Sequence, residues 1–118
     1  MLTIYHNKRC SKSREGVCFL ENLKKPFETI HYLEKTITYI DLETILKKLK
    51  IKPIELVRKK EKEWIENFKG KILTDKEIIE AMLQFPKLIE RPIVINGENA
   101  VIARPTELIN TILKNHLT

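Results

Sequence analysis

The chain has 118 residues, of which 42% are hydrophobic, so it can form one domain over residues 1–118 and is not a disordered segment. No apolar run approaches the roughly 20 residues that cross a bilayer, and the N-terminus lacks a signal-peptide pattern, so we expect a cytoplasmic protein without membrane contact. The formal charge of +6 favours anionic ligands, but the lysines are spread along helical faces, which disfavours nucleic acid as the main ligand.

The first third of the chain predicts a strand, a helix and a second strand. Residues 2–6 form a strand-like segment that ends in a polar loop, and Ser11 or Ser13 is expected to cap a helix that runs to about Leu23. Residues 27–33 mix β-branched and aromatic side chains and predict a second strand. A βαβ unit of this length places its two strands parallel to each other.

The middle of the chain, at about 38–90, predicts a helical insertion. Two capping-box patterns, at residues 38–41 and 74–77, each open a segment with apolar residues at helical spacing. Shorter helices are predicted between them, at residues 54–57 and 61–68.

The last third predicts a hairpin and a helix. Residues 93–95 and 100–103 form two strands joined by a strong turn signal at 96–99, and a final helix opens at Thr106 with Leu117 on its buried side. The whole order is β-α-β, a helical insertion, then β-β-α. This order predicts an α/β protein of the thioredoxin-like class, with a mixed four-stranded sheet and helices on both of its faces.

Cys10 lies between the first strand and the first helix, where free backbone N–H groups and the helix dipole stabilise a thiolate. Four basic residues lie in the same loop and also favour the anion: Lys8, Arg9, Lys12 and Arg14. The same N–H groups can hold a tetrahedral oxyanion, so the loop predicts a nucleophile inside an anion-binding site. The alternative is an ordinary buried cysteine, which the polar surroundings disfavour.

Three other residues bear on the reactivity of Cys10. His6, at the edge of the loop, either orients the thiolate or caps the end of the strand. Cys18 lies about 10 Å along the helix, too far for a disulfide, and is expected to fill the core. Position 13 is serine rather than the second cysteine of a Cys-x-x-Cys motif, so a resolving thiol must come from outside, from glutathione or a redox partner.

The chain uses 17 lysines but only five arginines, and three of these lie outside the Cys10 loop: Arg58, Arg91 and Arg104. Arginine binds oxyanions through a planar fork, so these residues are candidate oxyanion ligands, with chance use of a basic residue as the alternative. Arg91 and Arg104 each precede a proline, which favours extended backbone at the edge of an element.

Four motifs together resemble one family. The pattern Tyr-His-Asn-x-x-Cys-x-x-Ser-Arg at residues 5–14 resembles the active-site loop of the glutaredoxin-coupled arsenate reductase family. Residues 56–59 are similar to the central arginine motif of that family, and residues 90–94 and 104–107 are similar to its two later Arg-Pro motifs. Each motif is weak alone, but four in the same order along nearly the whole chain are specific.

This resemblance implies an arsenate reductase in which Cys10 is the nucleophile and His6 modulates it. It implies that three arginines bind the oxyanion: Arg58, Arg91 and Arg104. It also implies a cis peptide bond before Pro92 and supporting roles for Ser13 and Arg14 of the matched motif. The implied partners are a small oxyanion substrate, glutathione as co-substrate and glutaredoxin as protein partner.

Two other functions remain open for a single reactive cysteine. One is a redox-sensing regulator that binds a protein such as RNA polymerase, although Ser13 departs from the Cys-x-x-Cys that such regulators usually carry. The other is a monothiol reductase of glutathione-mixed disulfides, which would not need three arginines. The histidines at 6, 31 and 116 have no metal-ligand spacing, so we expect no metal and no bound cofactor.

Overall fold

The computed structural model describes residues 2–113. In chain order its strands and α-helices are β1 (Leu2–Tyr5), α1 (Ser11–Asn22), β2 (Phe27–Ile30), α2 (Tyr39–Leu49), α3 (Lys62–Asn67), α4 (Asp75–Gln84), β3 (Ile93–Asn96), β4 (Asn99–Ile102) and α5 (Ile109–Leu113). They fall in two compact units: the first holds the described residues up to Lys35 and from Arg91 onwards, and the second holds Thr36–Glu90. The second unit covers the predicted insertion at 38–90, and a single domain over the whole chain stays a prediction.

The first unit is built on a mixed four-stranded sheet in the order β2-β1-β3-β4. β1 runs parallel to β2 and antiparallel to β3, and β3 runs antiparallel to β4. The β3–β4 turn is Gly97-Glu98, and Gly97 has a φ of +63°, a left-handed conformation that glycine adopts without steric cost. The predicted βαβ unit, hairpin and mixed sheet are therefore confirmed.

Both helices of this unit cover the sheet face that carries Leu2 and Ile4. Side chains alternate along a strand, so Leu2 and Ile4 share one face while Thr3 and Tyr5 point the other way. The buried cluster on the first face takes residues from β1, α1, β3, α5 and the end of β4: Leu2, Ile4, Leu20, Val94, Ala103, Ile109 and Ile112. Its burial fixes the position of α1, and hence of the loop that precedes α1.

Most boundaries differ from the predicted ones by one residue, and β2 and the last helix differ by more. β2 ends at Ile30 rather than at residue 33, because the carbonyl of His31 accepts hydrogen bonds from the N–H groups of Glu34 and Lys35 and turns the chain. The last helix opens with a 3-10 turn, and Leu117, predicted on its buried side, lies outside the described residues.

The second unit contains α2, α3 and α4, with short 3-10 helices at Pro53–Leu56 and Pro86–Leu88. Capping boxes open α2 and α4 at Thr38 and Thr74, which confirms both predictions. The residues that α2 and α4 bury are Leu42, Ile45, Leu46, Ile78, Ile79, Ala81 and Met82. Within the part of the chain that the structure describes, no helix has both the length and the apolarity of a membrane span.

Candidate active site

Cys10 is the N-cap residue of α1, with extended backbone at φ −96° and ψ 123°. The predicted caps, Ser11 and Ser13, are therefore wrong: Ser11 is the first helical residue and Ser13 the third. The sulfur of Cys10 thus occupies the place where a serine oxygen would normally face the free N–H groups of the first turn. The contact between the Cys10 sulfur and the Ser13 N–H does not meet the geometric criteria of a capping hydrogen bond.

Ser13 fastens the Cys10 loop to the helix. Its side chain is fully buried, and its Oγ accepts a hydrogen bond of 2.9 Å from the backbone N–H of Asn7. The same Oγ is hydrogen-bonded to Nδ1 of His6. Ser13 therefore stabilises the loop through its hydroxyl. A cysteine at the same position would instead provide a resolving thiol.

The loop itself is held by hydrogen bonds that begin at Asn7. The Asn7 carbonyl accepts the Cys10 N–H at 2.9 Å, and its side-chain Oδ1 accepts the Arg9 N–H at 3.0 Å. Nη1 of Arg14 donates to the carbonyl of Lys8 at 2.9 Å, so Arg14 braces the backbone rather than the sulfur. Asn7 is buried and was not predicted as a site residue, although asparagine in a tight polar loop is a signal for such a turn.

Arg104 and Arg91 meet Cys10 from the β3–β4 hairpin. Nη2 of Arg104 lies 3.5 Å from Sγ of Cys10, and its Nε donates to the Arg91 carbonyl at 2.8 Å. The peptide bond before Pro92 is cis, as the resemblance implies, and so is the bond before Pro105, which was not predicted. The structure therefore brings together Cys10 and two of the three predicted arginines.

The surroundings of Cys10 lower the pKa of its thiol to about 7. Partial burial raises this pKa, but the Ser13 backbone N–H and the guanidinium groups of Arg91 and Arg104 together outweigh the burial. The predicted contribution of the N–H groups at the start of α1 is confirmed by the Ser13 N–H. The four basic residues at 8, 9, 12 and 14 were also expected to lower the pKa, but they are not among its largest causes. Two of these four pair with carboxylates instead, Lys8 with Glu34 and Lys12 with Glu15.

His6 is buried and reaches Cys10 through Ser13. Its ring lies 5.6 Å from that of His31 in an edge-to-face arrangement. Burial lowers the pKa of His6, and the neighbouring His31 and Arg14 lower it further, so the neutral imidazole is favoured at neutral pH. His6 therefore acts on the loop through the Ser13 hydroxyl, as a positioning residue.

Gly16 sets how closely α1 approaches the proline that follows Arg91. A Cβ at this position would lie 3.0 Å from Cγ of Pro92 and 3.1 Å from Cδ1 of Ile4. Sequence reasoning missed this residue, although a glycine inside a helix costs about 1 kcal/mol relative to alanine and so signals a packing constraint. Gly16 and Pro92 together seat the Arg91 segment against the helix that begins at Cys10.

Arg58, the third predicted oxyanion ligand, lies in the second unit with two carboxylates. Its Nη1 is 3.0 Å from Oε1 of Glu90 and its Nε is 3.3 Å from Oε2 of Glu61. Its backbone N–H donates to the Leu88 carbonyl at 2.7 Å, beside a β-bridge between Val57 and Ile89. Burial lowers the pKa of Arg58, but the two carboxylates raise it overall. Its role as an oxyanion ligand stays a prediction.

Cys18 is exposed, so the prediction that it fills the core is wrong. The buried residues of α1 are Ser13, Gly16 and Leu20, and a residue two positions after Gly16 points away from that face. Both cysteines are free. Among residues 2–113, no group of three or more His, Cys, Asp or Glu side chains is arranged to hold a metal ion.

Comparison with known proteins identifies relatives over nearly the whole chain. Residues 5–112 match the ArsC family. An arsenate reductase of Haemophilus influenzae is 41% identical over 114 residues, which cover 93% of this chain and 97% of that protein. The Escherichia coli protein YfgD, whose name states no activity, is 42% identical over 113 residues, 93% of this chain and 94% of that one.

A solved structure shows the same architecture. An arsenate reductase from Vibrio cholerae superposes with a TM-score of 0.89 at 37% identity, over 94% of this chain and 96% of that chain. The superposition and the mixed four-stranded sheet confirm the α/β, thioredoxin-like fold class predicted from the sequence, whereas helices on both faces of the sheet stay a prediction. The matched region includes Cys10 and all three candidate arginines.

Proposed function

The chain belongs to the ArsC family, and on this basis we propose that it is a thiol-dependent arsenate reductase with Cys10 as its nucleophile. The observation that carries the proposal is the position of Cys10 Sγ, at the start of α1 and 3.5 Å from Nη2 of Arg104. A thiol with a pKa of about 7 is substantially ionised at neutral pH, and the thiolate is the form that attacks.

Substrate binding uses the same charges that ionise the thiol. Arg91 and Arg104 supply planar forks that suit a tetrahedral oxyanion, and the first turn of α1 supplies free N–H groups. Arg58 is the third proposed ligand, and an oxyanion there competes with Glu61 and Glu90 for the guanidinium. The net positive charge of the chain steers the anion towards the site.

The proposed chemistry takes two electrons from two thiols. The Cys10 thiolate attacks arsenic, a sulfur–arsenic bond forms, and one arsenate oxygen leaves as water after protonation. The sulfur of glutathione then bonds to the sulfur of Cys10, the sulfur–arsenic bond breaks, and its electron pair leaves with arsenic as arsenite. The arginines hold the negative charge throughout, and their rigid forks need little reorganisation.

The electron donor must come from outside the chain. Ser13 occupies the place of a resolving cysteine, and Cys18 lies exposed further along α1. We therefore propose glutathione as the co-substrate, with glutaredoxin removing it from the mixed disulfide on Cys10 by thiol exchange. We propose that no metal or bound cofactor takes part and, because the reaction needs a reduced thiol, that the protein acts in the cytoplasm.

Four supporting residues shape the site in this proposal. Ser13 joins the loop to the helix, and His6 fixes the orientation of the Ser13 hydroxyl. Arg14 braces the loop through the Lys8 carbonyl. Pro92 packs against Gly16 and presents Arg91 towards the sulfur.

The test is arsenate-dependent NADPH oxidation, coupled through glutathione, glutaredoxin and glutathione reductase. Wild type should turn over, and Cys10→Ser should lose all turnover because the sulfur–arsenic bond cannot form. Cys18→Ser is the matched control, since it removes the other thiol of the same helix, and it should keep wild-type activity.

If the wild-type protein has a reactive Cys10 but shows no arsenate-dependent turnover, the proposal that it is an arsenate reductase is wrong. A redox regulator would then be tested by its oxidation-dependent capture of RNA polymerase. A monothiol reductase would be tested by its turnover of glutathione-mixed disulfides.

A further inference from the structure

A cavity of about 270 Å³ lies beside the Cys10 loop. Its lining comes from residues 6–9 of the loop and from His31, Leu33 and Glu34 of the turn after β2. Neither Arg91 nor Arg104 lines it. The cavity therefore differs from the arginine pair to which the oxyanion is assigned, and no step proposed above uses it.

The cavity is connected to the nucleophile by the loop. Asn7 lines the cavity, and its carbonyl accepts the Cys10 N–H at 2.9 Å. Arg9 also lines it and immediately precedes Cys10 in the chain. His6 lines it and is hydrogen-bonded to Ser13, whose backbone N–H faces the sulfur. The cavity wall therefore includes the residue that directly precedes Cys10 and the residue that holds the Cys10 N–H.

The lining carries charges of both signs. Lys8 and Arg9 are cationic, and Glu34 is anionic and lies 3.1 Å from Nζ of Lys8. Both side chains of this pair are largely exposed, at 65% and 60%, so the pair adds little to stability and can open to accept a ligand. Leu33 offers an apolar surface that is 41% exposed.

These charges favour a zwitterion over a simple anion. A second arsenate or phosphate would use Lys8 and Arg9 but would lie beside the Glu34 carboxylate, which repels it. A molecule with two carboxylates and one ammonium group can pair its carboxylates with Lys8 and Arg9 and its ammonium group with Glu34. The volume is below the roughly 300–1,000 Å³ of ordinary ligand sites, so only part of such a molecule fits inside and the rest extends outward.

We propose that this cavity binds the thiol co-substrate, a small peptide thiol with two carboxylates and one ammonium group, of which glutathione is the proposed example. The inference rests on the proposed function, because it names the site of the second thiol. The carboxylates pair with Lys8 and Arg9, the ammonium group pairs with Glu34, and the sulfur points to Cys10. The arginine pair stays on arsenic while the donor sulfur bonds to the Cys10 sulfur and the arsenic leaves with the electron pair.

The binding test uses S-methylglutathione, which keeps the charges of glutathione but has no reactive thiol. An NMR titration of the reduced wild-type protein, without arsenate, should show saturable shifts of the backbone amides of His31, Leu33 and Glu34. S-methylcysteine, with one carboxylate, should bind at least fivefold more weakly. Shifts that map outside the cavity, or equal affinities for the two probes, would overturn the proposal.

Variants at the cavity should separate the two substrates. Lys8→Gln and Glu34→Gln should each weaken S-methylglutathione binding and raise the KM for glutathione at least fivefold, while the KM for arsenate stays within twofold of wild type. Lys35→Gln is the matched control, since it changes one exposed charge next to Glu34 and does not line the cavity. Unchanged affinity in both variants would overturn the cavity assignment.

The outcomes distinguish this proposal from the proposed function. Binding at the cavity without arsenate turnover would retain a peptide-thiol site and reject the arsenate reductase. Arsenate turnover together with unchanged glutathione KM in both variants would retain the reductase and reject the cavity as the donor site.

Discussion

Arg104 and Arg58 are both predicted oxyanion ligands, and their surroundings differ. Arg104 is exposed, with Nη2 at 3.5 Å from the Cys10 sulfur and Nε on the Arg91 carbonyl. Within residues 2–113, no carboxylate forms an ion pair with Arg104. Arg58 is partly buried and forms ion pairs of 3.0 and 3.3 Å with Glu90 and Glu61.

The difference shows that one residue type can have two electrostatic roles. The charge of Arg104 is available to the thiolate and to an incoming anion, whereas the charge of Arg58 is already shared between two carboxylates. An oxyanion gains the full attraction of Arg104 but must compete for Arg58. We therefore expect Arg104 and Arg91 to matter most for reactivity, and Arg58 to matter more for stability.

The largest expected effect is on catalysis at the arginine pair. Arg91→Ala and Arg104→Ala should each lower kcat/KM for arsenate by about 10- to 100-fold, since a hydrogen bond to a charged group contributes roughly 1.5–3 kcal/mol. Lys12→Ala is the matched control, because Lys12 is a cation in the first turn of α1 that is already paired with Glu15. Steady-state kinetics in the coupled assay measure all three, and a loss in Lys12→Ala equal to that in Arg104→Ala would contradict the distinction.

The next effect is on stability at Arg58. Arg58→Ala removes the partner of two half-buried carboxylates and should lower the free energy of unfolding by about 1–2 kcal/mol. Arg104→Ala, at an exposed site, should lower it by less. Urea denaturation followed by circular dichroism compares the two variants, and equal losses would remove the proposed difference between them.

Kinetics of Arg58→Ala add a second readout. If Arg58 also binds the oxyanion, the KM for arsenate rises while the pKa of Cys10 stays at its wild-type value. An unchanged KM for arsenate would show that Arg58 does not bind the oxyanion and that its role is the ion pairs with Glu61 and Glu90.

The smallest expected effect is at Gly16. Gly16→Ala gains about 1 kcal/mol of helix propensity but overpacks against Pro92 and Ile4, which typically costs about 1–3 kcal/mol. We expect a net loss of about 0–2 kcal/mol in stability and a rise in the pKa of Cys10, because the Arg91 segment must shift. Glu21→Ala, an exposed position of α1, is the control, and a lower Cys10 pKa in Gly16→Ala would contradict this role of the packing.

Most of the fold could be predicted because its signals are local. The capping boxes at Thr38 and Thr74 set the starts of α2 and α4, and the turn at 96–99 sets the hairpin. The same turn also predicts that Arg91 and Arg104 lie close together. In the hairpin Ile93 pairs with Ile102, and two residues further from the turn on each strand the same register places Arg91 opposite Arg104.

The rest of the site depends on which face of α1 is buried. That face includes Ser13 and Gly16, which are not hydrophobic, and it leaves Cys18 exposed. The wrong prediction for Cys18 came from the general tendency of free cysteines to be buried. The role of Ser13 depends on hydrogen bonds to Asn7 and His6 that form only when the loop folds back on the helix. Contacts between residues of different elements, such as Gly16 with Pro92, leave no periodic signal in the chain.

The pKa of Cys10 tests the central claim most directly. It can be measured from the pH dependence of alkylation in a Cys18→Ser background, where Cys10 is the only thiol. The account predicts that the alkylation rate rises through a pKa of about 7, and that the pKa moves up towards the free value of about 8.5 in the Arg91→Ala/Arg104→Ala double variant. A pKa near the free value in the parent, or an unchanged pKa in the double variant, would contradict it.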